Sequence, residues 1–418
     1  MDLRFGEFTK EEIQNKLKIS KIILPIDKIL QREKKIKEKE ERRIQRKIQN
    51  ILPQITIQNE PIGIQIRGME NRGNSCFVNS VMQGLLACPP FIFFLDKIRK
   101  ANFEDYSNCL ILQSLAGFIK NISVDIDIKT KGFSRLGFDF DSKSTSFFYE
   151  KLFDVIGRFK PDGPNYLKSV QEDAQEFLNF LLDSVHEEIA VILGLNNSGK
   201  MFEIEKALQD FKNTQILVQR IIPKKTIIRD IFGGTLKSKI VPNGMKPLIS
   251  FEPFMILPIN INGFHISSIE DALIDFSDPE NLRDYTDETT KQNIGAQKKT
   301  KIHQLPVILI LHLKRFRFSE KTGAFKVHKA INFPTKLTIP KKIISSELHK
   351  KGKKEHIYNL VSVIYHIGQS PIEGHYTCSA LKWTGNWVHI DDTSISEVSE
   401  KEIVDPNAYI LFYIKTDK

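Results

Sequence analysis

Cysteine is scarce: Cys76, Cys88, Cys109 and Cys378 are the only four in 418 residues, and no two are spaced C-x-x-C. So few and so scattered, they exclude a disulfide framework and leave a structural zinc knuckle without visible ligands. The thiols are expected to be reduced, which suits a cytoplasmic or nuclear protein. Long apolar runs are also missing. None reaches the roughly 18–20 residues that span a bilayer, so no membrane insertion is expected. The opening MDLRFGEFTKEE has no apolar core of the kind a secretory signal carries. There is no internal repeat. What remains is the composition of a globular protein, 41% hydrophobic and 27% charged, long enough to bury a sizeable core. The net charge of +10 implies attraction to acidic partners without identifying one.

Residues 1–60 stand apart as a basic N-terminal extension. Lys28–Lys47 is dominated by Lys, Arg and Glu, and Ile44, Ile48, Ile51 and Leu52 follow at helical spacing before Pro53. The simplest reading is a solvated helix docked on the main domain. A partner-binding or RNA-binding arm is the alternative, and nucleic acid is expected only through residues 28–47. From about Pro61 to residue 418 the composition is that of a folded domain. A helix is expected from Asn79 to Leu86 and beyond, until Pro89-Pro90 stops it. The clearest helix covers residues 171–190, with Ala174, Phe177, Leu178, Leu181, Leu182 and Val185 on one face. The polar stretch near 194–215 reads as a loop or insertion. After about Ile221 strands take over: Val307–Phe318, Tyr358–Gly368, His375–Trp383, Asn386–Asp391 and Ala408–Lys415. Helices first and antiparallel strands second imply an α+β fold.

The chemistry concentrates in two segments. In GMENRGNSCFVNSVMQ (Gly68–Gln83) a glycine- and asparagine-rich stretch leads to Cys76 and a helix follows. A sulfur at a helix N-terminus meets unpaired N–H groups and the positive end of the dipole, which favour a thiolate. The same N–H groups suit an oxyanion, and Asn71 is placed to add a side-chain donor. A lone cysteine, however, is more often a small buried hydrophobe. In EGHYTCSALKWTGNWVHIDD (Glu373–Asp392) His375 opens one strand and Asp391 ends the next. A short hairpin would bring them together, as a general base and the carboxylate that orients it. In extended chain Asp391 and Asp392 point to opposite faces, so only one can serve. Asp391 is favoured, with Asp392 as a secondary polar group.

Five segments in order, NRGNSCFVNS (Asn71–Ser80), QEDAQEF (Gln171–Phe177), PVILILHLKRF (Pro306–Phe316), the Gly374–Asp392 box and AYILFY (Ala408–Tyr413), resemble the boxes of the ubiquitin-specific proteases. That family is papain-like. The likeness is nearest to the ubiquitin-specific protease 10 subgroup, through ACPPF (Ala87–Phe91), DIFGGTLKS (Asp230–Ser238), SFEPF (Ser250–Phe254) and YHIGQSPIEGHY (Tyr365–Tyr376).

The resemblance implies a hand: a helical thumb over about 61–215, β fingers over about 220–310, and an antiparallel palm to 418. It implies thiol-dependent hydrolysis at the C-terminal glycine of ubiquitin through a thioester. A catalytically inactive ubiquitin-binding scaffold, or a protease for a ubiquitin-like modifier, is the alternative. It assigns Asp173 and Glu176 to the arginines of the ubiquitin tail, where the bland reading is favourable charge at a helix start. It sets Gly374 and His366 beside the passage for that tail, with a structural role equally open for His366. Many relatives hold their fingers with zinc on cysteine pairs absent here, so no metal and no cofactor is expected, and the fingers must be held by packing. The implied partners are ubiquitin, ubiquitinated proteins and a regulatory protein. Gly84, inside the helix after Cys76, should weaken it by about 1 kcal/mol unless close packing requires it.

Overall fold

The structure is a computed structural model. It describes residues 66–100, 109–121, 151–160, 171–195, 201–205, 217–222, 224–286, 291–321, 323–350, 355–382 and 384–416, with scattered positions between 31 and 57. Five helices come first: α1 Cys76–Leu86, α2 Pro89–Lys100, α3 Leu110–Asn121, α4 Lys151–Phe159 and α5 Ala174–Ile192. Strands follow: β1 Met201–Glu205, β2 Leu217–Ile222, β3 Gly234–Pro242, β4 Leu248–Phe254, β5 Ile256–Ile259, β6 Glu280–Leu282, β7 Ala296–Gln304 and β8 Ile308–Leu313. Helices α6 Ile227–Phe232 and α7 Ile269–Phe276 are set among them. The chain continues through β9 Phe316–Ser319, β10 Gly323–Lys326, β11 Lys336–Thr338, α8 Ser346–Lys350, β12 Ile357–Ser370, β13 Glu373–Leu381, β14 Trp387–Asp391, β15 Ser394–Val398 and β16 Ala408–Lys415.

The palm is a sheet in the order β15-β14-β13-β12-β16-β8-β5, with β11 paired to β12. Its unbroken apolar runs have a simple cause: both faces are covered. Along β8, Ile308 and Ile310 enter the core shared with α1 to α6, while Leu309, Leu311 and Leu313 enter a second core with α7. Alternation of side chains across a strand makes every position apolar when neither face meets water. The thumb is built on α1, all of whose residues are buried. Phe77 meets Phe177 of α5 edge-on at 5.4 Å, and Phe159 of α4 meets Phe177 at 5.6 Å. The expected apolar face of α5 is buried throughout. Gly84 lies where a Cβ would come within 3.2 Å of Phe412 and 3.3 Å of the Ser362 hydroxyl, so it buys close approach of α1 to the palm.

The fingers are a second sheet, β1-β2-β4-β3-β7-β6. It differs from expectation in two ways. Met201–Glu205, inside the stretch read as a loop, is a strand paired antiparallel with β2; five residues of weak alternation amid polar neighbours carry too little pattern to stand out. Packing is also not the only thing that holds the fingertip. Asn243 donates from its backbone to Gly295 O at 3.1 Å and from its side chain to Ile294 O at 2.9 Å. Two pairings, β2 with β4 and β5 with β8, are parallel. Pro89-Pro90 opens α2 as well as following α1, because proline is tolerated in a first turn.

Within 31–50 the described positions are helical, and Gln49 donates to Ile192 O at the end of α5 at 2.6 Å. The apolar positions Ile44, Ile48, Ile51 and Leu52 lie outside the described residues. Among the described residues no single helix is long and apolar enough to cross a membrane.

Candidate active site

The site forms where the N-terminus of α1 meets the β13–β14 hairpin. The loop into α1 turns through Gly73 at φ 94° and Asn74 at φ 50°. Both are left-handed conformations that glycine, and less readily asparagine, adopts. Asn71 braces that loop, its Oδ1 accepting from the Ser75 backbone N–H at 3.0 Å and the Ser75 hydroxyl at 3.1 Å. Ser75 makes no capping bond and no acidic residue lies in the first turn of α1. The positive end of the helix therefore faces Cys76 uncompensated.

β13 and β14 pair with Cys378 opposite Ile390. That register sets His375 and Asp391 diagonally on one face, and the His375 Nε2 lies 2.6 Å from the Asp391 Oδ1. Nδ1 is left for the sulfur. A bond to the Cys76 thiol, opposed by burial and aided by Asp391, raises the imidazole to about 9. Cys76 itself is 3% exposed.

Asp392 makes no hydrogen bond to the ring, and its backbone is left-handed at φ 48°. Its two oxygens accept from Asn71 Nδ2 at 2.9 Å and Asn79 Nδ2 at 2.8 Å, and its carbonyl accepts from Met69 N at 2.8 Å. Asp392 thus ties Asn71 and Asn79 of the cysteine segment to the histidine segment. An Asn amide has two N–H donors, and among the described residues Asn71 gives one of them to Asp392. His375, Asp391 and Asp392 have ligand atoms within 4.8 Å of one another. They could hold a cation only at the expense of the bonds just described.

Asp173 is the N-cap of α5, accepting from Gln175 N at 2.7 Å. The Tyr409 hydroxyl donates to its carboxylate at 2.8 and 2.9 Å. Burial pushes Asp173 up to about 6, against these bonds. Glu176, one turn on, is exposed and 4.0 Å from Lys160. Gly374 has no room for a side chain, since a Cβ would lie 2.4 Å from His366 Nε2. His366 is fully buried, its ring 4.9 Å from Phe316 and 4.8 Å from Tyr376. Burial holds it down to about 3, so it is neutral. It lies beneath Gly374 and presents no exposed edge. Two partners were not singled out from the sequence. Gln171 donates to the Cys76 sulfur at 3.3 Å from 95 residues away, and Asn79 holds Asp392; the only sequence signal was their place inside the two boxes.

A cysteine beside an imidazole that a carboxylate orients, with an amide donor on its sulfur, is the arrangement that papain-like thiol hydrolases share. A family model described as ubiquitin carboxyl-terminal hydrolase matches residues 67–413, and the chain belongs to that family. It is 32% identical over 366 residues to ubiquitin carboxyl-terminal hydrolase 24 of Arabidopsis thaliana, covering 83% of this chain and 64% of the relative. It is 28% identical over 416 residues to ubiquitin carboxyl-terminal hydrolase 10 of Rattus norvegicus, covering 89% and 51%. The chain thus spans between half and two thirds of these relatives. The fold is shared with the yeast SAGA DUB module, TM-score 0.61 at 22% identity over 84% of this chain and 69% of that one. It is also shared with the SAGA Ubp8/Sgf11/Sus1/Sgf73 DUB module bound to ubiquitin aldehyde, TM-score 0.62 at 24% identity over 84% and 70%.

Proposed function

We propose that the protein is a cysteine-type deubiquitinating enzyme that hydrolyses the isopeptide or peptide bond at the C-terminal glycine of ubiquitin. The observation that carries this reading is the meeting of Cys76, His375 and Asp391 where α1 packs on the β13–β14 hairpin. The Cys76 sulfur adds to the glycine carbonyl carbon, and the resulting oxyanion is held by N–H groups at the head of α1 and by the amide of Asn71. His375 gives its proton to the departing lysine amine, leaving a thioester. The neutral ring then takes a proton from water as that water's oxygen adds to the thioester. Collapse releases the ubiquitin carboxylate and returns the thiolate beside an imidazolium. Asp391 holds the ring throughout, and Gln171 donates to the sulfur whenever it is anionic.

Asp173 and Glu176 take the arginines of the extended ubiquitin tail. Tyr409 uses part of the acceptor capacity of Asp173 and leaves the rest. A regulatory protein partner belongs to the reading, supported by the subunits that accompany Ubp8. So does a cytoplasmic or nuclear setting, supported by four cysteines that are all free and buried. The test is incubation with ubiquitin joined to a lysine-containing peptide, and in parallel with a ubiquitin-like modifier joined to the same peptide. Release of ubiquitin by the wild type and none by Cys76→Ser is expected. Release by Cys76→Ser, or cleavage of the modifier alone, would contradict the proposal.

A further inference from the structure

We propose that Lys326 is a positioning residue for the catalytic imidazole: its buried ammonium clamps the two carbonyls that flank Ile367, the residue paired across the strands with His375. This rests on the hydrolase reading above. Lys326 ends β10 and is 6% exposed. Its Nζ donates to His366 O at 2.7 Å and Gly368 O at 2.9 Å. Ile367 opposite His375 is the last regular pair between β12 and β13 before the register slips to Ser370 opposite Glu373. The clamp therefore closes on the point where the ladder stops holding the hairpin by itself.

Neighbouring contacts act the same way. His328 donates from Nε2 to Gln369 O at 3.1 Å. Gly368 is at φ 150° and so close to the facing strand that a Cβ would lie 2.6 Å from Glu373 O. The position of Lys326 is itself fixed. The fully buried Arg315 donates to Val327 O at 3.0 Å, Lys329 O at 2.8 Å and Ala408 O at 2.6 Å, gripping the chain just after it. Burial first, and then the Arg315 charge, lower Lys326 to about 8, which leaves it an ammonium at neutral pH.

Simple packing does not account for this arrangement. Burying an ammonium is unfavourable unless its donors are used, and a methionine would fill similar space without that cost. What methionine lacks is a pair of donors aimed at the hairpin that carries Gly374 and His375. Lysine is thereby linked to the imidazole through backbone, and the expected signature is a loss of rate, not of substrate affinity.

The experiment compares Lys326→Met with wild type in the full chain. It measures the thermal melt, kcat and KM on a fluorogenic C-terminal amide of ubiquitin, and the pH dependence of iodoacetamide alkylation at Cys76, read by peptide mass. The alkylation needs no ubiquitin, so it reports on the thiol–imidazole pair even if ubiquitin is not the substrate. A folded variant is expected to lose about tenfold or more in kcat with KM within about threefold. Its alkylation midpoint should move by about half a pH unit or more, because the imidazole no longer holds its place beside the sulfur. If Lys326→Met does not fold, Lys326→Gln, which keeps neutral N–H donors, should show the same split with a smaller loss. A folded variant with unchanged kcat, or with an unchanged alkylation profile, would overturn the proposal and leave Lys326 as packing alone.

Discussion

Asp391 and Asp392 are adjacent carboxylates with different partners, so removing Asp392 alone isolates its role. In Asp392→Ala the backbone bond from Met69 stays and the bonds from Asn71 and Asn79 go. Hydrogen bonds to a charged group contribute about 1.5–3 kcal/mol each where water is excluded, and less here because Asp392 is half-buried. The effect on rate is a separate quantity that depends on Asn71. Its Oδ1 keeps both bonds to Ser75, so the amide is loosened, not released. Full loss of an oxyanion donor costs about 2.7–4 kcal/mol, or about 10²–10³ in kcat. Asn71→Ala should reach that range. Asp392→Ala should stay below it, at about 10- to 100-fold, with KM within about threefold. The hydrogen bond that orients His375 goes to Asp391, so the alkylation profile of Cys76 should not move in Asp392→Ala and should move in Asp391→Ala. Steady-state turnover of the fluorogenic ubiquitin amide, a thermal melt and Cys76 alkylation against pH make up the assay. A kcat within about threefold of wild type, or a shifted alkylation profile, would refute this division of labour.

Three further outcomes are expected. Asp173 is raised to about 6 by burial, so it loses its charge as pH falls through that value; KM for ubiquitin substrates should rise on going from about pH 7.5 to about 5.5, and Asp173→Asn should have a raised KM that no longer varies there. His375 is raised to about 9, first by its bond to Cys76. Its folded pKa lies above the unfolded one, so its stabilisation is complete below 6.5 and is lost as pH rises through about 9. The wild-type Tm should therefore decline across that interval more than the Tm of Cys76→Ser. In Gly84→Ala, helix propensity gains about 1 kcal/mol, while overpacking against Phe412 and Ser362 costs about 1–3 kcal/mol. Packing should win, lowering the denaturant midpoint by an amount equal to about 1 kcal/mol.

The parts of the fold that were legible in the sequence are those where one local pattern answers one physical need. The face of α5 repeats at helical spacing because a single side of it is buried. The runs in β8 and β16 are continuous because each strand separates two cores. His375 and Asp391 could be paired in advance because a short hairpin fixes their register. What was hidden depends on chain segments meeting from a distance. Gln171 meets Cys76 from another part of the thumb, Tyr409 crosses from palm to thumb to reach Asp173, and Lys326 meets His366 from a different strand of the palm. Asp392 was readable as a polar neighbour, but its left-handed backbone and its two asparagine partners were not. β1 was hidden because five residues of alternation carry little signal. The burial of His366 could not be read from a sequence that sets it one strand away from the catalytic histidine.

The most direct test is trapping with ubiquitin that carries an electrophile in place of its C-terminal carboxylate. The wild type should gain the mass of one ubiquitin, with the adduct mapped to the peptide that contains Cys76, and Cys76→Ser should gain nothing. An adduct on Cys88, Cys109 or Cys378, or none on a folded wild-type chain, would contradict the assignment of Cys76 as the nucleophile.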